Sequence, residues 1–133
     1  MADNAPSTDT DIQVSRLHYH QRSRKLDVQF NNGETASLSA ELLRVLSPSA
    51  EVRRHGKPVL VTNKKNVAIN KVLPVGHYAV KLVFDDGHDS GIYSWRYLHQ
   101  LATQQDTLWQ QYLTQLRQAN AQRDELIAVT FKP

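Results

Sequence analysis

Residues 72–98, VLPVGHYAVKLVFDDGHDSGIYSWRYL, set most of what this chain can fold into. A turn at 74–76 leads to a stretch in which Tyr78, Val80, Leu82 and Phe84 alternate with Ala79, Lys81 and Val83. Residues two apart share a strand face, and both faces here are largely apolar. That pattern predicts a central strand with one side buried and the other mostly covered. Asp86 and Gly87 supply the positive φ values that a tight hairpin turn needs. Gly91 stands beside the returning strand at 92–93, where a missing side chain permits a bend or a close backbone approach. Ser94 can cap the next helix by accepting a free first-turn N–H. Trp95, Leu98, Leu101 and Ala102 then share one helical face and should cover the sheet.

The chain before this unit reads as a β-meander and a short helix. Residues 1–11 are small, polar and unpatterned, which predicts a disordered tail. Strands are expected at Val14–His20, Lys25–Phe30 and 35–38, with the second and third joined by the hairpin signal Asn31-Asn32-Gly33. Ser39 caps a helix with Glu41 in its first turn and Leu42, Leu43 and Leu46 facing inward. Pro48 ends it. The stretch 52–66 is broken by Gly56 and Pro58, with a short edge strand expected at 59–61, and 67–73 resumes extended structure. After Leu101, Asp106 is the expected N-cap of a further helix. Its stripe of Leu108, Trp109, Tyr112, Leu113 and Leu116 is best explained by packing on the domain's own core. Residues 126–131 are apolar again and suit a final strand or a docking tail. The fold class is α+β: a small antiparallel or mixed sheet, one short helix after the first meander, and one or two C-terminal helices packed on the sheet. The organisation is a tail at 1–11, a domain at 12–104 and a helical extension at 105–133.

With 133 residues the chain can bury a core without metal or disulfide staples. The absence of cysteine removes disulfides, thiolate catalysis and thiolate metal sites together. The first residues are polar and acidic, unlike a signal peptide, and no apolar run reaches membrane-spanning length, so a cytoplasmic protein is expected. Charge is unevenly spread. No acid occurs between Val52 and Phe84, while Arg53, Arg54, Lys57, Lys64, Lys65, Lys71 and Lys81 are basic. Such a segment can meet an anionic ligand, an acidic partner or nucleic acid, or simply remain a solvated loop. No exposed aromatics interleave with these cations, which argues against nucleic acid.

Three segments carry a resemblance: LLRVLSPSAEV at 42–52, PVGHYAV at 74–80 and FDDGHDSGIYSW at 84–95. They resemble the gamma-butyrobetaine hydroxylase-like N-terminal domain family, also known as a bacterial domain of unknown function. The similarity covers roughly residues 14–102, and its motif positions are Pro74, Gly76, Tyr78, Asp85, Asp86, Gly87, His88, Gly91, Tyr93 and Trp95. It implies a small α+β domain found at the front of iron-dependent hydroxylases or attached to iron–sulfur cluster carrier ATPases. In the hydroxylases the domain holds a structural zinc through a C-P-C-x-x-C run and one histidine. The corresponding positions here are Ser47, Ser49, Val52 and His88, so the resemblance implies a vacated zinc site. The hydroxylase iron motif and a phosphate-binding Walker loop are both missing from the sequence.

Two constellations invite chemistry. Asp85, Asp86, His88 and Asp89 crowd one turn; with His77 they could form a metal or acid–base site, although a solvated hairpin explains the same residues. His18 and His20 share a strand face and could chelate a metal if a third ligand approached. Ser47, Ser49 and Ser94 lack an evident base in sequence, so no nucleophile is expected. The reading is a non-catalytic binding or accessory domain without cofactor, acting through a protein partner, with iron–sulfur cluster assembly as the setting the resemblance implies. A metal or small ligand at the Asp85–Asp89 turn, or weak nucleic-acid binding through 53–71, is the alternative.

Overall fold

The structure, a computed structural model, describes residues 12–49 and 60–123. The strands separate into two three-stranded antiparallel sheets. The first is a meander of β1 (Val14–His20), β2 (Lys25–Phe30) and β3 (Thr35–Ser39). Helix α1 (Ala40–Val45) follows directly. The second sheet is formed by β4 (Ile69–Val75), β5 (Ala79–Phe84) and β6 (Ile92–Ser94), with β5 in the middle. Helices α2 (Trp95–Thr103) and α3 (Gln105–Gln118) complete the fold.

Alternation decides which faces meet. Leu26, Val28 and Phe30 of β2 are buried, while the residues between them are exposed. Val80, Leu82 and Phe84 of β5 are equally buried, and its other face, Lys81 and Val83, is half-covered, as the pattern at 78–84 predicts. Leu42 and Leu43 of α1, Leu98 and Leu101 of α2, and Tyr112 and Leu116 of α3 close the same core. The stripe on α3 therefore packs at home, with Leu108, Trp109 and Leu113 half-buried around it. Trp95 and Ala102 of α2 are half-buried beside Leu98.

The two sheets are joined by side chains reaching across long stretches of sequence. The hydroxyl of Tyr93 donates to the carbonyl of Leu43, and that of Tyr97 to the carbonyl of Leu46. Both acceptors lie at the end of α1, where carbonyls lack intrahelical partners. Tyr19 of β1 accepts from the backbone N–H of Ile69 at 3.0 Å. Burial pushes the phenol of Tyr93 well above its ordinary value, so it stays a neutral donor.

Several boundaries differ from the sequence expectation. The turn expected at 74–76 begins later: β4 runs through Pro74 to Val75, and Gly76 takes the positive φ of +58°. Pro74 is tolerated because β4 is an edge strand. Tyr78 accordingly lies in the turn rather than in β5 and is 68% exposed. In the next turn only Gly87 is left-handed, at φ +94°. α1 stops at Val45, before Pro48 can force it. Leu60 and Val61 are not in a strand, and the extended segment starts at Ile69 rather than 67. Asp106 is not the cap of α3 but lies in its first turn; Gln104 is the N-cap and makes no side-chain cap bond. Ser39 and Ser94 do cap, accepting from the N–H of Leu42 and of Tyr97. The expectations for 1–11, Val59 and 126–131 fall outside the described residues.

Glu41 shows how tertiary packing overrides position. It lies in the first turn of α1 as expected, yet it is only 6% exposed. Arg123 donates to its two carboxylate oxygens at 2.8 Å each, and the hydroxyl of Tyr112 donates at 2.7 Å. Burial and then the Glu41 carboxylate push the Tyr112 phenol up. The variant Arg123→Ala should lose about 3 kcal/mol in urea unfolding, the low end for breaking a buried pair because Arg123 is a third exposed. The double variant Glu41→Met/Arg123→Met should recover most of that loss; if it does not, the pair itself is stabilising beyond removal of its charges.

Candidate functional site

The segment after α1 and the β5–β6 turn form a buried polar hub. Ser47 is fully buried, and Ser49 and His88 are nearly so. Ser47 Oγ and His88 Nε2 are 2.9 Å apart, and Ser49 Oγ lies 2.7 Å from Ser90 Oγ. The backbone N–H of Ser49 donates to Ser47 Oγ at 3.3 Å. Gly91 makes this closeness possible, since a Cβ there would stand 2.3 Å from Ser47 Oγ. The close approach expected at Gly91 is therefore made against a side chain 44 positions earlier.

Ser47 and His88 look like a nucleophile and its base, which the sequence alone did not pair. The pair lacks access: with Ser47 wholly enclosed, no substrate carbonyl can approach its oxygen. A structural zinc does not fit either. Ser47, Ser49 and His88 do converge, but two hydroxyls and one imidazole are a poor zinc set, and Nε2 is already engaged by Ser47. Val52 lies outside the described residues. Among the described residues no group of three or more His, Asp or Glu side chains is placed to hold a metal.

The aspartates of the same turn are spent on structure. Asp85 accepts from the N–H of Ala68 at 3.1 Å and returns its own N–H to the Ala68 carbonyl at 2.9 Å. Asp86 accepts from Arg44 Nε at 2.8 Å, from Lys64 Nζ at 2.6 Å and from the N–H of His88 at 3.1 Å. Partial burial pushes the Asp86 carboxyl up, but Lys64, the His88 amide and Arg44 together outweigh it and hold the group at about 2. Asp89 is exposed. His77 does not join them. It sits at the other end of β5, whose six residues span about 20 Å, beside Tyr78, and its carbonyl accepts from Trp95 Nε1 at 2.9 Å. The acid–base constellation is thus not assembled.

His18 and His20 stack on the outer face of the first sheet, ring centroids 4.4 Å apart. His20 Nε2 donates to Asp27 Oδ2 at 2.7 Å, and that bond, with a second from Ser37, holds the Asp27 carboxyl below its ordinary value. The basic segment is divided. Lys64 is tied to Asp86, Lys65 borders a cleft at the start of α3, and Lys71 is exposed on β4. Arg53, Arg54 and Lys57 lie outside the described residues.

One surface is not satisfied internally. Leu73, Val75, Tyr78 and Ile92 are 39%, 38%, 68% and 50% exposed. Leu73 and Ile92 flank Lys81 in register, and Val75 shares a face with Leu73, so an apolar row crosses the outer face of the second sheet. The pattern at 78–84 marks this face only as less apolar than the other. That Leu73 and Ile92 meet across it depends on the register.

The family model described as "Gamma-butyrobetaine hydroxylase-like, N-terminal" matches residues 17–99. Two proteins with NMR solution structures are similar throughout. One is 56% identical over 90% of this chain and 91% of its own, with a TM-score of 0.77. The other is 48% identical over 84% and 90%, at 0.75. A crystal structure of a protein of unknown function from Acidithiobacillus ferrooxidans, of the DUF971 family, is 40% identical over 68% of this chain and 92% of its own, at 0.59. No curated protein matches.

Asp86 gives the hub a pH signature. Its folded value near 2 lies below the ordinary 3.8, so its contribution is full above about pH 4 and is lost as pH falls toward 2. Asp86→Asn should lower stability at pH 6 and narrow the gap to the parent at pH 2.5, as read by urea unfolding; an unchanged gap would rule out the ion pairs as its origin. Gly91→Ala should cost about 1–3 kcal/mol through the clash with Ser47. Ser47→Ala/Gly91→Ala should regain part of it, which thermal melting would register.

Proposed function

Because this chain belongs to the gamma-butyrobetaine hydroxylase-like, N-terminal family, we propose that it is a non-catalytic binding domain that docks a protein partner on the outer face of its second sheet. The observation that carries the reading is the outer-face row of Leu73, Val75 and Ile92, large apolar side chains left in water around Lys81, with Tyr78 exposed in the adjoining turn. Exposed apolar groups gathered on one face mark a surface that meets a partner. Lys71 and Lys81 favour a partner whose apolar segment carries acidic residues.

The polar groups elsewhere support a binding role over catalysis. Ser47 and His88 are enclosed, Asp85 and Asp86 are consumed by backbone and cation contacts, and His77 stands apart from both. The finer setting, service to iron–sulfur cluster assembly, rests on the family resemblance. In that setting the domain would bring another protein to the cluster machinery without holding the cluster itself, since it has no cysteine to ligate one. Among the described residues no helix is long and apolar enough to cross a membrane.

A photo-crosslinking residue at Ile92 should capture a discrete partner in cells, and one at Gln111, exposed on α3, should not. Leu73→Glu should abolish the Ile92 product while costing under about 1 kcal/mol of stability, because the site is already partly in water. Equal products from both positions, or persistence in Leu73→Glu, would refute the docking face. Cluster-assembly proteins in the captured band would supply the iron–sulfur setting.

A further inference from the structure

A cleft of about 450 Å³, lined by none of those docking-face residues, opens between the start of β2, α1 and the first turn of α3. That volume suits a small metabolite. Its charges are unbalanced. Arg24, Lys25 and Lys65 border it, and none has a carboxylate partner among the described residues. Of the two acids that line it, Glu41 is already met by Arg123 and Tyr112. The other, Asp106, leaves three cations against one carboxylate.

The wall is also held in place. Arg123 is fixed by Glu41 on one side and lies over the Trp109 ring, 5.1 Å from its centroid, on the other. That ring face is therefore closed to a stacking base. Gln105 and Asp106, in the uncapped first turn of the 14-residue α3, lie at the cleft and add backbone donors favourable to an anion.

Arg24 closes the β1–β2 turn. It has a φ of +56°, in the left-handed region that costs an ordinary side chain energy and favours glycine or asparagine. Its carbonyl accepts from Ala40 and its N–H donates to His20, both at 2.8 Å, so the strained conformation is locked. Glycine would meet the turn's needs with less strain, yet the residue at the cleft is a cation.

We propose that this cleft binds a small molecule carrying two or more negatively charged oxygens, a phosphorylated or polycarboxylate metabolite, with Arg24, Lys25 and Lys65 as its counter-charges. The closed Trp109 face favours a compact anion over a nucleobase or an RNA strand. The site is separate from the docking face and does not depend on it.

The test is an NMR titration of the full chain at fixed ionic strength, with pyrophosphate in one arm and citrate in the other. Saturable shifts should appear at the Trp109 indole N–H and at the amides of Lys65, Gln105 and Thr107. Saturation by pyrophosphate alone assigns a phosphoryl ligand, by citrate alone a polycarboxylate, and by both the shared class. Arg24→Gly should raise the thermal midpoint by relieving the left-handed strain while weakening binding about tenfold, the weight of one charge-assisted contact. Lys65→Gln should weaken it similarly, and Arg96→Gln, exposed on α2 and outside the cleft, should leave it unchanged. Non-saturating shifts, equal losses in Arg96→Gln, unaltered affinity in Arg24→Gly, or tighter binding of a single-stranded RNA that also shifts Lys71 would each overturn the proposal.

Discussion

The pair of tyrosines on β6 and α2 holds this fold together. The two sheets share no hydrogen-bonded ladder, so their relation is fixed by what lies between them. Tyr93 places its ring in the core and its hydroxyl on the Leu43 carbonyl, while Tyr97 reaches Leu46 a turn later. Each therefore buries apolar area and satisfies an orphan carbonyl at the end of α1 at the same time. Removing such a donor from an enclosed position strands the carbonyl, which costs more than the hydrogen bond alone contributes. The hydroxyl of Tyr19 adds a second tie, from β1 directly to the Ile69 N–H of β4.

The buried hub beside it follows from the same closeness. Gly91 lets Ser47 approach the β5–β6 turn, and the approach leaves polar atoms without water. Hydrogen bonds between Ser47 and His88 and between Ser49 and Ser90 meet that demand. Outside the hub, Asp86 ties Arg44 and Lys64 to the turn. This stretch thus serves as a structural clasp: Ser47 partners His88, Asp85 the Ala68 backbone and Asp86 two cations, and water cannot reach the central serine. Two surface features lie outside this clasp: exposed apolar side chains on the second sheet, and a cationic cleft where α3 meets the start of β2.

Much of this was legible along the chain. Strict alternation at 25–30 and 79–84 identifies the two central strands because a one-residue slip would turn every apolar side chain into water. Asn32-Gly33 and Asp86-Gly87 identify hairpin turns, and Ser39 and Ser94 identify helix starts, because these act within four residues. The expected turn at 74–76 and the Asp106 cap fail for a related reason. Pro74 and Asp106 have local preferences, and edge pairing with Val80 and the preceding α2 terminus override them.

The sequence by itself determined the secondary elements, the inward faces and the exclusion of thiolate chemistry, all of which depend on residue type and short-range spacing. Only the tertiary structure decided that Glu41 is buried by Arg123, 82 positions away, that Ser47 pairs with His88 across 41, and that Leu73 and Ile92 flank Lys81 in water. Those outcomes turn on which surfaces meet after the two sheets close on α1. Local propensity carries no record of such long-range partners, because the energy that selects them comes from burying whole faces at once.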